Sequence, residues 1–194
     1  MDSVDYYNRY ASVYFDNTVN LAMGKTLERF MEYFDAGDAI LDLGCGSGRD
    51  SKIMLEEGLE VTLLDASEEM CALADIYTGV EPLCMDCRKI DFNQVFDGIW
   101  ACASLLHLSK KDMEAVLHKV YDSLKTDGIF YFSVKEGDFE GYRHERFFAD
   151  YTKREMKELL EKFPHFEVID IWKTQDVRAD RNEQKWINVL LKRI

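Results

Sequence analysis

The stretch whose reading decides the fold is Ala39-Ile40-Leu41-Asp42-Leu43-Gly44-Cys45-Gly46-Ser47-Gly48-Arg49. Ile40, Leu41 and Leu43 form an apolar run too short for a helix and closed by glycines, which reads as a buried strand. Gly44, Gly46 and Gly48 let the backbone turn sharply and approach a ligand closely. A helical pattern follows from about Arg49 to Glu57, and Gly58 closes it. Strand, glycine loop and helix start, in that order, present free backbone N–H groups to a carboxylate or phosphate.

The same alternation continues on both sides. Val61-Thr62-Leu63-Leu64 reads as a second strand ending at Asp65; Ser67 then caps a helix whose inner face is Met70, Leu73, Ala74 and Tyr77. A short third strand is expected from Pro82 to Met85, ahead of Asp86, and a fourth from Phe96 to Ala101. Ser109 and Asp112 open a helix that buries Met113, Val116, Leu117, Val120, Tyr121 and Leu124. Asp127-Gly128 is a turn before the fifth strand, Ile129 to Val134. Thr152 and Glu155 make a capping box for a helix that buries Met156, Leu159, Leu160 and Phe163. Phe166 to Trp172 and Trp186 to Leu191 are the last strands. The polar connector Gln175 to Gln184 makes them an antiparallel hairpin at the sheet edge. Upstream, Tyr6, Tyr10 and Tyr14 share one helical face, and a second helix carries Leu27, Phe30, Met31 and Phe34 before Gly37.

Strands alternating with amphipathic helices imply βαβ units. The fold class expected is α/β: a seven-stranded, mostly parallel sheet with an antiparallel last strand and helices on both faces. With 194 residues and only two prolines, one domain is expected over 1–194. It divides into a helical cap at 1–36, a ligand-binding core at 37–135 and an acceptor-side segment at 136–194.

Met1-Asp2-Ser3-Val4-Asp5 lacks a basic n-region and an apolar h-region, so no secretory signal is expected. No apolar run reaches the ~18 residues of a membrane span. Five cysteines without a disulfide-like framework fit a reducing cytoplasm. A net charge of −13 repels phosphate backbones, and no Lys/Arg block longer than Lys110-Lys111 offsets it, so nucleic acid is a disfavoured partner.

Open α/β sheets bind ligands at the carboxyl ends of their strands. Asp42 to Gly48, Asp65-Ala66, Asp86-Cys87 and Ala101 to His107 converge there. Asp65, about twenty residues beyond the glycine loop, can accept from both hydroxyls of a ribose. Neither register of the loop supplies the third glycine of G-x-G-x-x-G, since Arg49 or Ser51 stands there. No P-loop run exists either. The expected ligand bears a ribose and lacks a pyrophosphate.

The run Leu41-Asp42-Leu43-Gly44-Cys45-Gly46-Ser47-Gly48 resembles the first motif of class I S-adenosylmethionine-dependent methyltransferases. The segment from Phe96 to His107, Lys135-Glu136-Gly137 and Trp186-Ile187-Asn188-Val189 resemble the tellurite-resistance-type branch. The resemblance implies a Rossmann-like methyltransferase sandwich and S-adenosylmethionine as cofactor, with S-adenosylhomocysteine as its product. It places Gly44 and Gly46 under the methionine and ribose, with Cys45 and Gly48 among the cofactor-binding residues. Asp42 would orient the loop or the methionine ammonium. Asp65 would hold the ribose hydroxyls, with Ala66 beside the adenine and Met70 a further cofactor contact. Asp86, between Met85 and Cys87, would meet the adenine. Ala101 and Cys102 would line the methionine. Tyr14, on a helix that covers the cofactor in related folds, would reach its methionine carboxylate or the acceptor.

Each feature has a plainer reading. Cys84 and Cys87 form a lone C-x-x-C without further zinc ligands, and packed free thiols explain them best. Cys102 occupies the place of a nucleophile in some pyrimidine methyltransferases, but Ala101 replaces the preceding proline, so a small space-filling residue is expected. His107 is a general base or a histidine that shapes the pocket through backbone hydrogen bonds. The stretch 136–151, with Phe139, Tyr142, Arg143, Arg146, Phe147 and Phe148, shows no pattern and exceeds ordinary loop lengths of ~12–15 residues. It reads as an acceptor pocket or lid, or else as a surface loop. Ser104, His107, Lys135, Arg146, Phe148 and Tyr151 are the expected acceptor contacts, with His107 and then Tyr151 as candidate bases. The expected activity is methyl transfer to a small molecule. The alternatives are an RNA or protein methyltransferase, a non-catalytic cofactor-binding protein and a nicotinamide oxidoreductase.

Overall fold

A computed structural model describes residues 3–21, 24–178 and 183–194. Helices α1 (Ser3–Thr18) and α2 (Lys25–Met31) precede strand β1 (Ala39–Leu43). Then come α3 (Arg49–Glu56), β2 (Glu60–Asp65), α4 (Glu68–Thr78), β3 (Leu83–Cys84) and β4 (Phe96–Ala101). The second half holds α5 (Lys110–Ser123), β5 (Leu124–Lys135), β6 (Glu140–Arg143), β7 (Arg146–Ala149), α6 (Lys153–Leu160), β8 (Phe166–Gln175) and β9 (Lys185–Arg193).

Seven strands form one sheet in the order β3-β2-β1-β4-β5-β9-β8. β9 runs antiparallel to both neighbours, and the other six strands share one direction. The expected hairpin is present, and its second strand is inserted between β5 and the edge strand β8. The middle of its connector, 179–182, lies outside the described residues.

Strand side chains alternate between faces, and two apolar layers result. Leu41, Leu43, Ile99, Phe130 and Phe132 pack with Val116 and Leu117 of α5 and Met156 of α6. Ile40, Trp100, Tyr131 and Leu190 pack with Leu27 and Phe30 of α2 and Met54 of α3. Trp100 and Tyr131 are paired in register and stack with ring centres 4.0 Å apart. The expected caps form: Met70 donates its N–H to Ser67, and Thr152 and Glu155 complete a capping box.

Several elements differ from expectation. The stretch 136–151 is no patternless loop, because β6 and β7 pair across Arg143 and Arg146. His144 and Glu145 make the turn with φ of 47° and 65°, the backbone that two-residue hairpin turns need and that usually recruits Asn-Gly. Asp127-Gly128 falls inside β5 as a register shift opposite β4. β3 is only two residues long. α2 stops at Met31, and Gly37 serves the following turn. Helical geometry breaks at Tyr10 (φ −114°, ψ 19°). Tyr7 and Tyr14, seven residues apart and so on one helical face, pack edge to face, while Tyr10 is exposed.

Candidate functional site

A cavity of about 590 Å³ opens at the carboxyl ends of β1, β2, β4 and β5, within the size range of small-molecule sites. Its floor is the loop after β1. The N–H groups of Gly44 and Cys45 both donate to Leu64 O, at 2.8 and 2.9 Å. Gly44 has φ 89°, and a Cβ there would lie 2.3 Å from that of Ser104. Only glycine allows the β4 loop to pass this close, and Ser104 locks the crossing by donating to Leu43 O at 2.5 Å. Gly48, with φ 75°, does not line the cavity; a Cβ there would strike Thr78 of α4. It permits packing of α3 against α4, which corrects its expected cofactor contact.

Four carboxylates stand along this floor. Asp65, at the tip of β2, accepts from Gly46 N and Ser67 N, both at 2.9 Å. Burial raises its pKa. Each oxygen keeps a lone pair for a further donor. Asp42 is buried and accepts from Ser51 Oγ at 2.6 Å. Burial first, and then the charge of Asp50, push its pKa up to about 7. Asp50 itself accepts from Trp100 Nε1 at 2.9 Å and pairs with Arg49. Asp86 is bound by Arg88, which holds its carboxyl below the usual range. Ala66, Met70, Met85 and Cys87 also line the cavity.

Beyond the β4 strand, Cys102 lines the cavity and Ala101 does not. Ala101 is fully buried in the apolar layer under α5, which corrects its expected contact. Burial and the charge of Asp50 push the Cys102 thiol up to about 12, so it is a neutral space-filler at ordinary pH. All five cysteines are free thiols, and Cys84 is exposed outside the cavity.

The opposite wall is made by α1 and the β6–β7 hairpin. Tyr7 Oη lies 2.9 Å from His107 Nε2, and His107 Nδ1 lies 2.7 Å from Phe147 O. A carbonyl only accepts, so Nδ1 carries the proton and Nε2 accepts from Tyr7. Burial drives the His107 pKa down to about 4, so the ring is neutral. Tyr7 Oη also receives Arg146 Nη1 at 3.3 Å. Ser3 Oγ accepts from Phe147 N at 3.0 Å, and Asn8 Oδ1 accepts from Ser67 Oγ at 2.7 Å. α1 therefore spans from the hairpin to the start of α4, as a cap over the cavity.

Of the acceptor-side expectations, Ser104, His107, Lys135, Arg146 and Phe148 line the cavity, and so does Tyr14 from the cap. Tyr151 does not. Its ring is buried in the apolar layer with Lys110 Nζ 5.1 Å from its centre, and its hydroxyl has no hydrogen-bond partner among the described residues. Position 151 returns to the end of β5 by a bridge to Glu136, which turns the side chain into the core and removes it as a candidate base. Tyr7, Ser133 and Asn188 line the cavity without having been expected. Ser133 and Asn188 are brought together by the β5–β9 register, which no spacing along the chain reveals.

Residues 40–128 match the family model of a methyltransferase domain. The putative methyltransferase YqeM of Bacillus subtilis is 36% identical over 102 residues, 49% of this chain and 41% of its own length. The chain thus spans about two fifths of that curated relative. The 1,6-didemethyltoxoflavin-N1-methyltransferase of Burkholderia thailandensis was solved with 1,6-didemethyltoxoflavin and S-adenosylhomocysteine bound. It superposes with a TM-score of 0.75 at 25% identity, covering 98% of this chain and 84% of its own. TehB of Haemophilus influenzae superposes with a TM-score of 0.73, covering 98% of this chain and 67% of its own. At 16% identity that likeness is one of fold alone.

Proposed function

We propose that the chain is a class I S-adenosylmethionine-dependent methyltransferase, as its match to a methyltransferase domain and its likeness to known methyltransferases support, and that it transfers a methyl group from S-adenosylmethionine to a small-molecule acceptor. The observation that carries this reading is the floor of the cavity: a glycine cradle that a Cβ at Gly44 would fill, with Asp65 at the adjacent strand tip. That donor set suits a ribose-bearing cation better than a pyrophosphate, since Asp42, Asp50, Asp65 and Asp86 all line it.

In this reading Gly44, Cys45 and Gly46 pass beneath the methionine and ribose. Asp65 takes the ribose hydroxyls with its remaining lone pairs. Met70, Met85 and Asp86 surround the adenine. Asp42 and Tyr14 face the methionine portion. When bound, the cofactor supplies a methyl group already activated by the sulfonium charge.

The chain's own task is then to align the acceptor, exclude water and take up a proton where the acceptor has one to lose. α1 caps the cofactor side, and the β6–β7 hairpin supplies the acceptor wall. The cap, tied to the hairpin through Ser3 and to the loop after β4 through Tyr7, excludes water. Tyr7 and neutral His107 form a proton path: the Tyr7 oxygen takes the acceptor's proton as its own passes to His107 Nε2. This replaces the expectation of His107 as a base that touches the acceptor directly.

A capped cavity favours a small acceptor over RNA or protein. Incubation of the purified protein with methyl-labelled S-adenosylmethionine and a small-metabolite fraction, cellular RNA or cellular protein separates the readings. Label in a low-mass product supports this one; label confined to RNA or protein overturns it. Among the described residues, no helix is long and apolar enough to cross a membrane.

A further inference from the structure

We propose that the hairpin end of the cavity binds a carboxylate carried by the methyl acceptor, gripped by Arg146 of β7 and Lys135 at the end of β5. The proposal rests on the methyl-transfer reading and names the acceptor's chemical class.

The chain carries a net charge of −13, and six aspartates, Asp42, Asp50, Asp65, Asp86, Asp112 and Asp176, line the cavity. Against that background, two cations of the opposite wall lack an anion. Arg146 makes no ion pair among the described residues, and its Nε is buried without a hydrogen-bond partner. Its only side-chain hydrogen bond among the described residues is the 3.3 Å contact to Tyr7 Oη. Aromatic faces hold the guanidinium instead, with Tyr6 4.4 Å and Phe148 5.2 Å away. Lys135 also makes no ion pair among the described residues; its Nζ lies 4.1 Å from the centre of the Phe148 ring. The carboxylate that acts most strongly on Lys135 is Asp150, which is already paired with Arg143. Burial, and then the cations Arg143, Arg146 and Arg178, push Lys135 down to about 8.

Taking a guanidinium and an ammonium out of water without a counter-charge is costly. The aromatic faces offset part of that cost. A ligand anion offsets the rest. The guanidinium edge at Nε is a fork shaped for two carboxylate oxygens, and Lys135 adds a point charge beside the same Phe148 ring. Position separates this pair from the glycine floor. Both residues belong to the acceptor wall, and Arg146 shares the Tyr7 hydroxyl with the proposed proton path. A carboxylate fixed here would orient the rest of the acceptor toward Tyr7.

The competing occupant is the cofactor's own methionine carboxylate, and one titration series separates the two. Wild type, Arg146→Gln and Lys135→Gln are first titrated with S-adenosylhomocysteine. Each saturated protein is then titrated with matched acids and amides: benzoate and benzamide, phenylacetate and phenylacetamide, indole-3-acetate and indole-3-acetamide. We expect at least one acid to bind wild type about tenfold more tightly than its amide, and each variant to lose that preference. S-adenosylhomocysteine affinity should stay within about threefold in both variants. Ligand-free melting temperatures should hold or rise, because each substitution removes an uncompensated cation.

The proposal is overturned if either variant loses about tenfold in S-adenosylhomocysteine affinity, which would assign the cations to the cofactor. It is also overturned if no acid is preferred up to about 10 mM, or if both variants melt well below wild type. Failure of wild type to bind S-adenosylhomocysteine would overturn the methyl-transfer reading itself, and it is read in the first titration, before any acid is added.

Discussion

Tyr7 Oη is held 2.9 Å from His107 Nε2, joining residues 100 positions apart in the chain. The pair ties the cap helix to the loop after β4 and fixes which nitrogen of His107 carries the proton. It also sets a phenol and a neutral imidazole in line at the wall of the cavity. Arg146 points at the same oxygen, so one hydroxyl links the cap, the candidate proton acceptor and an unpaired cation.

The protonation state of His107 follows from its surroundings. Its pKa in the folded protein is lowered from 6.5 to about 4 by burial. The unfolded chain binds a proton there first as pH falls, so stability contributed by the neutral ring is full above about 6.5 and is lost as pH drops through 4. Nitrogen chemical shifts at pH 5 should show a neutral ring protonated at Nδ1. A charged ring at that pH, or a proton on Nε2, would remove the basis for the proposed relay.

Replacing Tyr7 with Phe takes away the donor to His107 and leaves the ring packing in place. With an acceptor that must lose a proton, kcat should fall by about 10²-fold or more, the usual worth of acid–base assistance. S-adenosylmethionine affinity should change little. A variant with unaltered kcat and weakened cofactor binding would instead make Tyr7 part of the cofactor's grip.

At Gly44 the crossing with Ser104 sets a sharp steric demand. An alanine there must adopt φ 89° and place its Cβ 2.3 Å from that of Ser104. Gly44→Ala should cost at least about 2 kcal/mol, in the range of strained and overpacked substitutions, and should abolish cofactor binding. Adding Ser104→Gly should restore part of the stability. If Gly44→Ala melts like wild type and binds S-adenosylmethionine normally, the close crossing is not what shapes the floor.

Asp42 carries a pH signature of the opposite sign. Its pKa in the folded protein is raised from 3.8 to about 7 by burial and by Asp50. The buried charge therefore weakens the ligand-free fold as pH rises from about 4 to 7. A bound sulfonium and ammonium favour the ionised carboxylate. Calorimetry at pH 6 in buffers of differing ionisation enthalpy should show protons released on S-adenosylmethionine binding, with affinity rising toward pH 7. Asp42→Asn should remove both effects. Proton uptake on binding, or a release unchanged in the variant, would contradict the assignment.

Much of the sheet was legible in the chain because β1, β2, β4 and β5 combine apolar runs with turn or cap residues at their ends. The glycine loop and Asp65 were legible for the same reason, since both stand at strand tips. The β6–β7 hairpin was hidden because His144-Glu145 supplies positive φ without the Asn or Gly that normally announces it. Tyr7 was missed because the i, i+4, i+8 spacing of Tyr6, Tyr10 and Tyr14 reads as the inward face, although Tyr7 shares a face with Tyr14 at i, i+7 and packs against it. Gly48 and Ala101 were assigned to the ligand by their motif, whereas packing against α4 and under α5 claims them. Asn188 enters the site only through the register of β9 against β5.

The central claim is the cofactor, and calorimetric titration of the purified protein with S-adenosylmethionine, alongside NAD(H) and repeated with Asp65→Ala, tests it most directly. Micromolar binding of S-adenosylmethionine, lost in Asp65→Ala and absent for NAD(H), is the predicted result. The variant should also melt lower, because Gly46 N and Ser67 N lose a shared acceptor worth about 1–3 kcal/mol when buried. No binding of S-adenosylmethionine by wild type, or preference for NAD(H), would contradict the account and leave the glycine loop as a tight turn without a ligand.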